Sequence, residues 1–491
     1  MTSHRQIFRS SAIIGSASII SILIGIIKTK FLAVLLGPAG VGLMGLYQSI
    51  MNTAHTFAGC GLDTSGVRQI AASNGDQNVL ALVRRSLLWG NLLLGSIGVA
   101  LLWLAREPIS ELVFHDATHI KEIGWLGAGL IFSLLASSHM AVLQGLRRIG
   151  DIARVNILSS LSGLIIGVLI IWWQRQDGIH WFVISAPMSS FIFATWYASR
   201  LPKKGVEHDL STIIREWQTM LRLGVPVMAA ALITLVTQLI ARAFVMRELG
   251  LDASGYFQAS WAISMTYIGF VLGAMATDYL PRLTEAIQDP ERAKRLVNEQ
   301  TEMGLLMASP VLLAMLTFAP FLIELLYAKS FAPAAEILRW QVMGDIFKVF
   351  AWPMGFIVLA LGRGDLFVAT QLNWNVLYLL SLWFGMDEIG LLVVGVGFFA
   401  AYVVKLGLVR FLVGRLINHS SNKRDVVMFS LLAISSAVLL LSSYQWNDAT
   451  FVLGCLMTLS FAGHSLWRLN QLICLTGVFA RLLSRIKQVF V

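Results

Sequence analysis

Apolar residues run through this chain in stretches of about 20, separated by short polar clusters rich in Gly, Arg and Asp. Such stretches read at roughly 10–36, 42–62, 86–105, 123–146, 152–174, 179–199, 222–247, 255–278, 303–327, 340–361, 366–386, 389–413, 427–445 and 449–474. Each approaches the length an α-helix needs to cross about 30 Å of hydrocarbon at about 1.5 Å per residue. The pattern therefore predicts an all-α polytopic membrane protein with about fourteen transmembrane helices and no separate globular domain.

Composition agrees: 57% of the 491 residues are hydrophobic and only 13% are charged, which excludes an ordinary soluble fold. Arg5 and Arg9 precede the first apolar run in the manner of a secretory signal. That run is too long, holds lysines and lacks a small-x-small cleavage site, so it is read as the first permanent span. With the amino terminus inside, roughly two thirds of the 37 Lys and Arg fall on the inner face, as the positive-inside rule requires. Both termini are then cytoplasmic, and the net charge of +10 needs no nucleic acid partner. Cys60, Cys455 and Cys474 form no disulfide or metal framework. His115 and His119 have metal-pair spacing but only Asp116 as a third ligand, which favours a solvated loop.

The chain also repeats itself. Leu36-Gly37-Pro38-Ala39-Gly40-Val41-Gly42 after the first span matches Leu249-Gly250-Leu251-Asp252-Ala253-Ser254-Gly255 after the seventh, and Arg9 and Arg222 open those two spans at the same offset. Asp63 with Arg68 parallels Asp278 with Arg282, and Gly150-Asp151 after Arg147 and Arg148 parallels Gly364-Asp365 after Arg363. Two six-helix lobes in a parallel repeat follow, because an even span count starts both lobes on one side. The expected division is an N-lobe over 1–205, a cytoplasmic linker over 206–221, a C-lobe over 222–415, and two extra helices with a tail over 416–491. Pro226, Pro310 and Pro353 supply candidate kinks.

Lys28, Lys30, Arg242, Lys348 and Lys405 lie inside apolar stretches. A cation at helix centre costs about 2.5 to 3.5 kcal/mol on insertion scales and normally faces a bundle interior or a watery cavity. A drug carrier, an anion path and a phosphate-lipid carrier all remain open at this point. Helical rise puts Lys30, Arg242 and Lys348 at one depth, roughly 10 Å below the outer boundary, as candidate cavity cations. Lys28 is two positions from Lys30 and so points elsewhere; which of the two faces the cavity stays open. Asp345 and Lys348, three apart, can pair on one helix as a coupling element. Asp63, Arg68, Arg147 and Asp278 recur at the inner mouth, as an interlobe gate or as markers of the headgroup region. No nucleotide loop, metal-ligand pair or nucleophile elbow is readable, so neither catalysis nor a cofactor is expected.

With these residues in view, the chain resembles the lipid-linked oligosaccharide flippases, or O-antigen translocases, of the multidrug/oligosaccharidyl-lipid/polysaccharide exporter superfamily. The resemblance rests on Lys30-Phe31-Leu32-Ala33 leading into the glycine turn, on Gly59 to Ala71, on Tyr279-Leu280-Pro281-Arg282-Leu283-Thr284-Glu285, and on Trp340-Gln341-Val342-Met343-Gly344-Asp345-Ile346-Phe347-Lys348-Val349. It covers about the first 415 residues. It implies a two-lobe alternating-access carrier of the bacterial inner membrane that moves an undecaprenyl-pyrophosphate-linked oligosaccharide. Lys30, Arg242 and Lys348 would then bind pyrophosphate, with membrane lipid and other polysaccharide-assembly membrane proteins as partners. The alternatives are a cation-coupled multidrug exporter, a membrane glycosyltransferase or polymerase, and a scaffold. Many such flippases stop at twelve spans, and two further spans are read here.

Overall fold

The computed structural model describes residues 2–73, 76–201, 209–417, 420–445 and 448–473; the side chains at 2–19, 210, 274, 277, 278, 445 and 473 lie outside the description. Hydrocarbon offers no water to backbone amides, so each crossing segment must satisfy its own hydrogen bonds. All the regular structure among the described residues is accordingly helical.

The helices are α1 (Thr2–Gly59), α2 (Leu62–Ala72), α3 (Gln77–Leu104), α4 (Arg106–Phe114), α5 (Ile120–Gly145), α6 (Ile149–Gln174), α7 (Ile179–Ser199), α8 (Leu210–Ala286), α9 (Pro290–Thr317), α10 (Ala319–Leu326), α11 (Ala334–Ala360), α12 (Gly364–Ile389), α13 (Val393–Ile417), α14 (Lys423–Ser442) and α15 (Asp448–Ile473). Two compact units result, Met1–Gly255 with Leu326–Ser330, and Tyr256–Leu325 with Phe331–Val491, called here unit 1 and unit 2. In unit 1, α1 packs on α6, α3 on α5, and α7 on both α5 and α6. In unit 2, α11 and α12 pack on α13, while α14 and α15 pack on α9. Large apolar side chains also cover the outside, with Trp173 83% and Phe384 72% exposed, as a surface solvated by lipid requires.

Among the described residues, nine helices are long and apolar enough to cross a membrane, or ten if α9 and α10 make one broken span. The chain is therefore an all-α multi-pass membrane protein. Four of the nine are long: Ile20–Gly59, Ile149–Ser199, Ser211–Gly273 and Gly364–Ile417, of 40, 51, 63 and 54 residues. The 51-residue run measures about 77 Å along a helix axis, more than twice the hydrocarbon thickness. Each long run is broken inside. Gly37 (φ 66°, ψ −166°) interrupts α1 and Gly250 (φ 84°, ψ 178°) interrupts α8, in a region of backbone space open essentially to glycine alone. Arg175 (φ 57°, ψ −130°) ends α6 and Gly390 (φ 55°, ψ −137°) ends α12, each leading into a 3-10 turn.

One expected span is corrected. The ninth, read as 303–327 in one piece, is bent by 81° between α9 and α10. Pro320 has no N–H to give the Leu316 carbonyl, so the helix ends at Thr317 and restarts at Ala319. By contrast Pro310 and Pro353 sit within continuous helices. Part of the stretch expected as linker, from Leu210 onward, is already helical and continuous with the seventh span.

Within unit 1 the two glycine breaks lie against each other. A Cβ on Gly42 would meet the Leu251 carbonyl oxygen at 2.4 Å, and one on Gly255 the Pro38 oxygen at 2.0 Å. Backbone cannot yield as a flexible side chain can, so Gly255→Ala should lose about 1 to 3 kcal/mol of stability. Gly269→Ala, where a Cβ meets nothing within 4 Å, should be tolerated. Thermal unfolding of the two variants in detergent, followed by size-exclusion chromatography, checks the difference; equal melting would contradict the packing.

Candidate functional site

The candidate cations are held one by one, each by a different device. On α8, Arg242 is buried and its Nη1 donates to Ser49 Oγ on α1. That hydroxyl spends its own proton on the Gly45 carbonyl at 2.9 Å, so its lone pairs are left to accept from the guanidinium. Lys28 Nζ stands 4.2 Å from the centroid of the Phe182 ring on α7, a cation–π contact that replaces part of its lost hydration. Lys30, like Lys28 on α1, is partly buried. Lys28, Lys30 and Arg242 all belong to unit 1.

Unit 2 assembles a second charged cluster. Asp345 is fully buried on α11, where its Oδ2 accepts from Ser264 Oγ at 2.5 Å and its Oδ1 lies 3.8 Å from Lys348 Nζ. The expected pair thus forms. Lys348 Nζ also stands 3.5 Å from Met265 Sδ and 5.7 Å from the centroid of the Tyr402 ring. Lys405, one helical turn along α13 from Tyr402, lies 5.6 Å from that same ring and donates to Gln371 Oε1 on α12 at 2.5 Å. Two ammonium groups and one carboxylate leave a net positive charge in low dielectric, where an anion is strongly attracted. Sequence reasoning noted Lys405 without giving it a role and missed Tyr402, Gln371 and Ser264. The Tyr402–Lys405 spacing of three was the available signal.

The remaining expected residues separate. Asp63, in the first turn of α2, lines two cavities in unit 1 of about 480 and 210 Å³. Arg68 and Arg147 are exposed, the latter with φ at 53°. The side chain of Asp278 lies outside the described residues. His119 Nδ1 and the Tyr47 hydroxyl are hydrogen-bonded at 2.9 Å and the ring packs on Phe114, which ties down the turn after α4. Burial lowers its pKa, against the opposing pull of Asp116 and Glu122. In unit 2, Arg468 Nε on α15 grips Glu302 Oε1 on α9 at 2.7 Å, and a Cβ on Gly454 would meet Thr317 at 2.6 Å. The last helix is therefore packed closely onto α9, and α14 packs on α9 and α11.

The family described as polysaccharide biosynthesis protein matches residues 31–336. The lipid III flippase of Escherichia coli (strain K12) is 25% identical over 411 residues, spanning 80% of this chain and 95% of that protein. Among solved structures, the lipid II flippase MurJ in an inward closed conformation aligns with a TM-score of 0.71 at 14% identity, covering 94% of this chain and 100% of that one. An inward-facing multidrug resistance MATE family transporter of the MOP superfamily gives 0.69 at 16% identity, covering 82% and 96%. At such identities the structural likeness establishes the fold.

The buried pair makes a prediction independent of transport. Lys348→Met removes the cation beside the buried Asp345, leaves it the Ser264 hydroxyl, and should cost up to about 3 to 5 kcal/mol. The double variant Asp345→Asn/Lys348→Met should recover most of that loss. A double-mutant cycle on detergent unfolding midpoints measures the coupling; additive losses would show that the two side chains are independent.

Proposed function

We propose a cargo and a direction of transport from one premise: the chain belongs to the polysaccharide biosynthesis protein family, a lineage of MOP-superfamily membrane transporters and not of enzymes. The cargo is an undecaprenyl-pyrophosphate-linked oligosaccharide, a repeat unit of O-antigen or a related surface polysaccharide. It moves from the cytoplasmic to the periplasmic leaflet of the inner membrane by alternating access. The observation that carries this reading is the set of cations kept inside an apolar helical protein, Arg242 at Ser49 and Lys348 with Lys405 around Tyr402.

Pyrophosphate suits those cations. The guanidinium of Arg242 can grip phosphate oxygens with two charge-assisted bonds, and Lys30 and Lys348 act as point charges. Pyrophosphate competing for Lys348 would release Asp345, which gives the pair a coupling role. Asp63, Arg68, Arg147 and Asp278 are assigned to the inner gate. An exporter of organic cations would want an acidic interior, and the net positive charge around Tyr402 disfavours it.

Fourteen crossings follow if each long broken run counts as two and the bent α9–α10 pair as one. We assign them to two six-helix lobes in parallel repeat, 1–205 and 222–415, joined by 206–221 and followed by α14 and α15, with both termini cytoplasmic. Matching backbone at Gly37 and Gly250, and at Arg175 and Gly390, supports the repeat. So do the Asp76 and Asp289 side-chain caps that open α3 and α9.

Deletion of the gene in its host should accumulate an undecaprenyl-linked glycan on the inner leaflet and abolish the surface polymer. Wild type should restore both, whereas a Lys30→Ala/Arg242→Ala/Lys348→Ala variant should insert normally and restore neither. Lipid extraction with mass spectrometry and glycan staining read the result. Normal glycan with increased drug sensitivity would favour the exporter.

A further inference from the structure

Asp63 lines two cavities that differ in character from the cation sites. Each is also lined by Thr64 and Ser137, and no Lys or Arg is among their described lining residues. The larger, at about 480 Å³, falls within the range of small-molecule sites. Its walls alternate hydroxyl groups, from Ser133, Ser137 and Ser190, with apolar patches from Val67, Met140 and Pro187.

Three acceptors line the smaller cavity, of about 210 Å³, and two of them, Asp63 and Ser137, also line the larger. Asn91, on the wall of the smaller cavity, is 1% exposed; its Nδ2 donates to Ser138 Oγ at 2.7 Å, and its Oδ1 has no partner. An amide oxygen buried without a donor is costly, and a ligand donor would relieve it. Ser137 Oγ gives its proton to the Ser133 carbonyl at 2.9 Å and so accepts from His55 Nε2 at 3.1 Å, keeping a further lone pair. The Asp63 carboxylate accepts from the Thr64 N–H through Oδ1 at 2.8 Å, with its other oxygen left for a second donor. A lone carboxylate repels phosphate, so the preferred ligand brings several O–H or N–H donors, no negative charge, and C–H faces for the apolar patches. Those are the properties of a neutral pyranose.

We propose that these cavities form the sugar-binding subsite of the transporter, in which Asp63 and Asn91 accept hydroxyl or acetamido protons from a neutral hexose of the cargo. The subsite rests on the glycolipid reading above and separates the recognition of sugar from that of pyrophosphate. It also gives Asp63 a role that a gate residue would not have. A gate alters movement and treats every cargo alike, whereas a sugar contact discriminates between a lipid with the sugar and one without it.

Binding of two probes to the purified full chain in nanodiscs tests this: undecaprenyl pyrophosphate, and the same lipid carrying one N-acetylglucosamine. Wild type should bind the sugar-bearing lipid more tightly. Asp63→Asn, which keeps the acceptor for Thr64, and Ser137→Ala should each weaken it roughly tenfold, the loss expected for one hydrogen bond to a charged or buried group. Both should leave affinity for the sugar-free lipid unchanged, while Arg242→Ala should weaken both probes alike. Equal effects of Asp63→Asn and Ser137→Ala on the two lipids, or none on either, would overturn the subsite. Wild type that binds neither lipid would overturn the glycolipid reading, and the subsite with it.

Discussion

Charge in hydrocarbon is the constraint on which this molecule turns. Each buried cation has lost most of its hydration, and the protein returns only part of it. Lys28 receives the face of Phe182, Arg242 meets a serine hydroxyl, Lys405 an amide oxygen, and Lys348 a carboxylate. Even that carboxylate is shared with Ser264 and lies 3.8 Å away. Neutral partners hold a cation less strongly than an anionic ligand would, by about a factor of two per hydrogen bond. On the reading proposed above, cations held by neutral groups, such as Lys28 and Lys405, would favour an anionic headgroup over their resting partners.

The backbone keeps these groups in place across breaks in the long helices. Glycines at Gly37 and Gly250 break long helices with matching torsions, and Gly42 and Gly255 let those breaks approach backbone to backbone. Larger residues would force the elements apart and carry Ser49 away from Arg242, which depend on the same two helices, α1 and α8. In unit 2, α15 is fastened to α9 through Arg468 and Glu302, and α14 packs on α9 and α11, so the two additional helices share the packing of the unit that holds Asp345 and Lys348.

Much of this was legible in the chain because lipid imposes a simple rule: about twenty apolar residues make a crossing. The glycine turns and the Asp345–Lys348 pair were readable for the same reason, since both are local in sequence. What escaped was tertiary. Gln371 reaches Lys405 across 34 positions, and Ser264 reaches Asp345 across 81, with no periodicity linking them. Hydropathy passed smoothly over Pro320 and hid an 81° bend. Asp63 was legible as a repeated charge, but its cavities depend on Ser133 and Ser137 of α5, far along the chain.

Transport of a pyrophosphate-linked glycan by this chain alone is the central claim, and reconstitution tests it most directly. Purified protein would be placed in liposomes with a fluorescent undecaprenyl-pyrophosphate-linked oligosaccharide, and exchange between leaflets followed by an impermeant quencher. The account predicts that fluorescence initially protected in the inner leaflet becomes quenchable at a rate that scales with the amount of protein and is lost with Arg242→Ala. Exchange no faster than in protein-free liposomes, with the protein folded and correctly inserted, would contradict it.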